Sequence, residues 1–125
     1  MSDMEIIYSY TRADAIADGS LIPVSEKTLK EAGIKIPTVI TQAVWFECIE
    51  VDEKDAKNGQ DKEGRLWDVL YMFTIGARNN KNSSQFIYEV IVNKHRKNKY
   101  YKIKALIHGG DNGEPVLTLM FPEED

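Results

Sequence analysis

The spacing of apolar residues changes about two-thirds of the way along the chain. From Gln85 to Val92, apolar positions alternate with polar ones through Phe86, Tyr88, Val90 and Val92. Tyr100 to His108 alternates through Tyr101, Ile103, Ala105 and Ile107, with Lys102 and Lys104 on the other face, and Val116 to Phe121 alternates through Leu117, Leu119 and Phe121. Period-two runs separated by polar turns predict a three-stranded antiparallel meander. Gly109-Gly110-Asp111-Asn112-Gly113 is a strong turn signal between the last two strands. Upstream of Gln85 the spacing is helical. Thr38 to about Glu50 holds Val39, Ile40, Ala43, Val44, Trp45, Phe46, Cys48 and Ile49, and Gly64 to Arg78 holds Leu66, Trp67, Val69, Leu70, Tyr71, Met72, Phe73 and Ile75. Both runs are apolar around most of the circumference, which predicts two largely buried helices. Gly76 lowers helix propensity and permits another element to approach closely.

Helix punctuation adds two shorter elements near the start. Thr11 with Asp14 reads as an acidic variant of a capping box, and Gly19 ends the unit. Ser25 caps a second unit running to Ala32, with Gly33 as its stop. Leu21-Ile22-Pro23-Val24 is extended between them; Pro23 cannot donate to a ladder, so this piece belongs at a sheet edge or outside the sheet. Pro37 suits the first turn of the Thr38 helix. Asp52 to Glu63 reads as a polar loop and Asn79 to Ser84 as a polar connector.

Helices first and strands afterwards describe an α+β fold: four N-terminal helices, two short and two longer and largely buried, on one face of a C-terminal three-stranded meander. The chain has 125 residues. That length suits a single domain spanning 1–125, and no linker or repeat divides it. The lone cysteine, Cys48, excludes an internal disulfide framework and any multi-cysteine zinc site. No apolar run approaches the roughly 20 residues that span a bilayer. The acidic start, Met1-Ser2-Asp3-Met4-Glu5, has no basic n-region. A cytoplasmic protein without membrane attachment is expected.

The net charge of -4 is unevenly spread. Lys94, Arg96, Lys97, Lys99, Lys102 and Lys104 form a block of six cations with no anion, so the rest of the chain carries 10 cations against 20 anions. Overall acidity opposes non-specific adhesion to DNA or anionic membrane. The basic block is a place for one acidic partner, and Tyr100 beside Lys99 and Lys102 offers an aromatic to the same partner. A solvated hairpin whose lysines guard its edges accounts for the same residues. With His108 opposite Pro115, the tail Glu123-Glu124-Asp125 falls beside Tyr100, Lys99 and Asn98, where it neutralises part of this block.

Catalytic and metal signals are weak. His95 and His108 have no second His or Cys at ligand spacing. Cys48 has no base near it in sequence and reads as a core thiol. The acidic loop Asp52 to Asp61 has Lys54 and Ala56 where a calcium loop places oxygen ligands. There is no Walker loop, Rossmann glycine fingerprint or nucleophile elbow, so no cofactor and no metal are expected. Carboxylates one helical turn apart, Asp14 and Asp18 among them, are explained by capping.

The opening Ile6-Ile7-Tyr8-Ser9-Tyr10-Thr11-Arg12-Ala13-Asp14-Ala15-Ile16-Ala17-Asp18-Gly19, the run Gly64-Arg65-Leu66-Trp67-Asp68-Val69-Leu70 and Asp111-Asn112-Gly113-Glu114-Pro115-Val116 carry a resemblance. Together they resemble an uncharacterised domain-of-unknown-function family of phages, plasmids and other bacterial mobile elements. The resemblance implies a small accessory protein that occupies a host protein or ribonucleoprotein complex, such as restriction or CRISPR machinery. The expectation is a non-enzymatic binding protein using Arg12, Arg65, Lys94, Arg96, Lys97, Lys99, Tyr100 and Lys102. Two alternatives stand beside it. One is a protein that sequesters a nucleotide signal, motivated by aromatics near cations. The other is a small enzyme in which Arg12, Asp14, Arg65, Trp67 and Asp68 meet in one pocket.

Overall fold

The computed structural model describes residues 10–124. The first four residues of the opening motif, Ile6 to Ser9, and the terminal Asp125 lie outside the described residues. The first helix, α1 (Arg12–Ala17), begins at the predicted capping box: Thr11 Oγ1 accepts from the Asp14 amide at 3.0 Å, and the Asp14 carboxylate accepts from the Thr11 amide at 3.2 Å. Strand β1 (Leu21–Pro23) follows, then α2 (Glu26–Ala32), capped by Ser25 and ended by Gly33 in the left-handed conformation at φ 80°.

The segment after Pro37 departs from the expected single helix. Thr38–Thr41 is a strand, β2, and all four of its residues are buried. Thr-Val-Ile-Thr is a β-branched run that loses rotamer freedom in a helix and fits a pleated surface. Thr41 then caps a short helical turn, α3 (Gln42–Val44), through the Val44 amide. A π-helical turn, Trp45–Ile49, continues it, closed by the Glu50 amide donating to the Trp45 carbonyl at 2.9 Å. The expected loop at 52–63 also contains structure, the one-and-a-half-turn α4 (Glu53–Lys57). The long helix α5 (Lys62–Asn79) matches the predicted central helix, with one or two extra residues at each end. Strands β3 (Gln85–Lys94), β4 (Lys97–Gly109) and β5 (Pro115–Met120) complete the chain.

The fold is α+β, and its sheet has five strands rather than three. Their order is β1-β2-β5-β4-β3. The predicted meander β3-β4-β5 is present and antiparallel, but β2 pairs parallel to β5 and β1 pairs antiparallel to β2. Pro23 sits on β1, an edge strand, as its missing N–H requires. The hairpin register is one residue from the expected one, with His108 opposite Val116 and Gly109 opposite Pro115. The tail also goes elsewhere. Glu124 accepts from the Thr41 hydroxyl and the Phe121 amide, both at 2.8 Å, so it ties the end of β5 to β2.

One core lies between the sheet and α5. Phe86, Tyr88, Val90 and Val92 face inward, as the alternation predicts, and Ile103, Ala105, Leu117 and Leu119 continue that layer. Phe73 of α5 packs on Phe86 and Tyr88 with ring centroids 5.6 and 6.2 Å apart. The Tyr88 hydroxyl, sealed in this layer, donates to the Val69 carbonyl at 3.0 Å. Gly76 allows this packing, because a Cβ there would lie 2.6 Å from the Phe86 ring.

Candidate functional site

The hairpin β3–β4 carries the basic block, and its turn is built in an unusual way. Lys94 pairs with Lys97, leaving a two-residue loop of His95 and Arg96, at φ 52° and 66°. Positive φ at both loop positions matches the right-handed twist of a hairpin but favours Asn and Gly over these residues. Contacts to α4 hold it. The His95 amide donates to Asp55 Oδ1 at 2.6 Å, the His95 ring nitrogen lies 2.8 Å from Asp52 Oδ2, and Arg96 Nε donates to Asn58 at 3.2 Å.

The six cations do not form one patch. Lys94 is half-buried and paired: its Nζ donates to the Tyr101 hydroxyl at 3.0 Å and lies 3.6 Å from Glu47. Arg96 is used in the turn. Lys97 and Lys99 stand opposite Lys94 and Val92, on the helix-facing side of the hairpin end. Lys102 and Lys104 share the outer face with Tyr100. On that face Tyr100 stands opposite Ile91, Lys102 opposite Glu89 and Lys104 opposite Ile87. Ile87, Ile91 and Tyr100 are 55%, 51% and 63% exposed. The outer face of the hairpin is therefore an apolar and basic surface on the free edge of the sheet. Ile87 and Ile91 are absent from the sequence expectation. Their signal was in plain view: they occupy the polar phase of the Phe86-to-Val92 alternation, so β3 is apolar on both faces.

A second group of exposed aromatics lies on the helical side. Trp67 and Tyr71, one turn apart on α5, stack with centroids 6.4 Å apart and are about half exposed, and Phe46 projects from the π turn.

Arg12 and Arg65 do not converge. Arg65 is buried and holds three segments together: its guanidinium donates to the Glu50 carbonyl, to Asp55 Oδ2 at 2.9 Å and to the Asn93 carbonyl at 2.8 Å. Arg12 lies on the opposite sheet face toward β5, where it donates to Thr118 Oγ1 at 3.2 Å and the Leu117 carbonyl at 3.4 Å. Thr118 aligns through Leu106 with Gln85, eight residues along β3 from Asn93, a separation of roughly 26 Å at 3.3 Å per residue. Asp14 is a cap, and Asp68 is exposed on α5, its carboxyl raised above the ordinary range by desolvation alone.

The motif residue Asp111 has a clear role. It reaches from the β4–β5 turn to accept from the Arg12 and Ala13 amides at 2.9 and 3.0 Å. The opening motif and the Asp111-to-Val116 motif thus meet at the α1 N-terminus, where a carboxylate satisfies amides the helix leaves free.

Asp52, Asp55 and His95 gather one ligand atom each within 4.8 Å. Both Asp55 oxygens are already occupied, by the His95 amide and the Arg65 guanidinium, and Arg65 supplies the compensating charge. The cluster is thus satisfied as a structural clamp. Cys48 is buried in the core, and burial pushes its thiol up to about 12.

Among the described residues no helix is long and apolar enough to cross a membrane. Over residues 1–125 the chain matches the family described as "Family of unknown function (DUF6573)". No curated protein and no solved structure matches it.

Proposed function

The chain belongs to this family of unknown function. We propose that it is a small binding protein of a phage or other mobile element, acting without catalysis by occupying a host defence complex, as the resemblance of its sequence motifs implies. The observation that carries the reading is the outer face of β3–β4, where Ile91 and Tyr100 stand exposed beside the Glu89–Lys102 pair, with Ile87 opposite Lys104 beyond it. Exposed apolar groups clustered on one face mark interaction sites. Tyrosine is enriched at interface centres, and cations at the rim steer an acidic partner and set its register. Among the described residues β3 is an edge strand, so its outer edge adds backbone groups without a strand partner to the same surface.

Two of the polar residues considered for catalysis, Arg65 and Asp14, are engaged within the fold, and the two arginines do not share a pocket, which supports a non-catalytic reading. Arg65 is enclosed in its clamp, Asp14 caps α1, and Arg12 and Arg65 lie far apart. Arg65 and Lys94 therefore contribute to the shape of the hairpin and its support, while Tyr100, Lys102 and the two isoleucines form the face offered to a partner. Lys97 and Lys99 flank it at the hairpin end.

The test is direct binding to purified host restriction and CRISPR complexes, paired with phage plaque assays in hosts carrying each system. Binding and relief of one system by the wild type, both lost in Ile91→Lys and Tyr100→Ala, are expected. A wild type that binds none of the complexes and relieves none of the systems overturns the proposal.

A further inference from the structure

A groove far from the hairpin has the chemistry of an anion site. It runs between α1, α2 and the β1–β2 edge, with a cavity volume of about 870 Å³. Ligand sites are typically concave, roughly 300–1,000 Å³, and mostly apolar with a few convergent polar groups. The walls here are aliphatic, with Ile16, Val24 and Val39 among them, and among the described residues no aromatic side chain lines the groove. Four cations surround it, Arg12, Lys27, Lys30 and Lys35, against one carboxylate, Glu26. Among the described residues none of the four lies within 4.0 Å of a carboxylate oxygen.

Arg12 is the centre of this site. It is partly buried, and among the described residues its guanidinium meets two neutral acceptors, the Thr118 hydroxyl and the Leu117 carbonyl, at 3.2 and 3.4 Å. Two of the five guanidinium N–H donors are thereby engaged. Burial lowers the guanidinium below its ordinary range against the through-space attraction of Asp111 and Glu114, and with no described carboxylate in contact part of the desolvation cost stays unmet. A bidentate carboxylate or phosphate would offset that cost and take up the remaining donors.

From this groove we infer that the protein binds a small amphipathic anion, with a carboxylate or phosphate head held by Arg12, Lys30 and Lys35 and an aliphatic body laid against Ile16, Val24 and Val39. The described lining is aliphatic, which favours an aliphatic body over a base. This site is independent of the hairpin face and of the proposed function.

Isothermal titration with octyl phosphate, octanoate, inorganic phosphate, octanol and adenosine monophosphate tests it. Saturable binding of octyl phosphate or octanoate is expected, with whichever binds more tightly identifying the head. Arg12→Gln should weaken that binding by about tenfold or more, the loss of a charge-assisted hydrogen bond. Lys30→Ala and Lys35→Ala, both exposed, should weaken it by about threefold each without affecting the fold, as partly screened charges do. Several outcomes overturn the inference: no saturable binding of either amphiphile, equal binding of octanol, inorganic phosphate as tight as octyl phosphate, adenosine monophosphate tighter than both amphiphiles, or wild-type affinity in all three variants.

Discussion

Arg65 and Asp55 form an ion pair at 2.9 Å with both side chains almost completely removed from water. The same guanidinium also ties down the Glu50 and Asn93 carbonyls, and the same carboxylate also holds the His95 amide. One pair therefore joins the end of the π turn, α4, α5 and the tip of the basic hairpin. Breaking such a pair leaves a buried charge alone and costs about 3–5 kcal/mol. Arg65→Met should lower stability by about that amount in chemical denaturation, and Asp55→Leu by a similar amount. The double variant should be clearly less destabilised than the sum of the two, since it leaves no orphaned charge.

Acid should act on the same region. The His95 amide, with help from Arg65 and against the opposing effect of burial, holds the Asp55 carboxyl below its ordinary 3.8. The Asp55 amide and the His95 ring do the same for Asp52. A folded-state pKa below the unfolded one gives stability that is present above about pH 4 and lost as pH falls through the folded value. At the other end, burial raises the Tyr88 hydroxyl well above its usual 10.0. That stability is present below pH 10 and lost as pH rises beyond it. Thermal melts across pH should therefore show a plateau between about 4 and 10, and Asp55→Asn should flatten its acid edge.

Asp111 lies 98 and 99 positions from the amides it caps. Asp111→Ala should cost about 1 kcal/mol, the usual value of a lost cap. Hydrogen exchange should accelerate at Arg12 and Ala13 while the α5 amides keep their protection.

Gly76 is fixed by contact rather than by backbone conformation. A methyl there would press on the edge of the Phe86 ring, itself wedged against Phe73 and Tyr88. Gly76→Ala should lose about 1–3 kcal/mol, despite the better helix propensity of alanine.

On the outer face of β3–β4 the expectation reverses. Tyr100→Ala and Ile91→Lys remove exposed groups and should change stability by no more than about 0.5 kcal/mol. Loss of partner binding by about tenfold or more in Tyr100→Ala, at unchanged melting temperature, would separate this surface from the structural residues.

Local signals in the sequence were reliable where local physics decides. The caps at Thr11 and Ser25, the turn at Gly109 to Gly113, the central helix and the inward set Phe86 to Val92 all depend on short-range spacing. The signal fails at Thr38 to Glu50, where apolar residues all round predict a buried helix. The β-branched first four residues instead found a strand partner in β5, whose availability is a tertiary matter. A wide apolar circumference also misled on α5 and the π turn, where Trp67, Tyr71 and Phe46 are substantially exposed. For the candidate sites, the sequence located the basic hairpin but could not show that its cations divide between two faces. Nor could it separate Arg65, enclosed by a carboxylate ten residues back, from Arg12, which faces neutral oxygens across the sheet.

The parallel pairing of β2 with β5 sets the order in which a nascent chain can settle. Thr38 lies opposite Leu117, 79 positions later, and the Leu117 amide donates to the Pro37 carbonyl at 2.8 Å. The β1–β2 hairpin must therefore wait through most of synthesis with one flank unmet, and closure of so large a loop is slow compared with forming α5 or β3–β4. A product that stops between Gly109 and Pro115 would hold the long helix and the basic hairpin but lack β5, leaving β1 and β2 unpaired with the rest of the sheet and open to proteolysis.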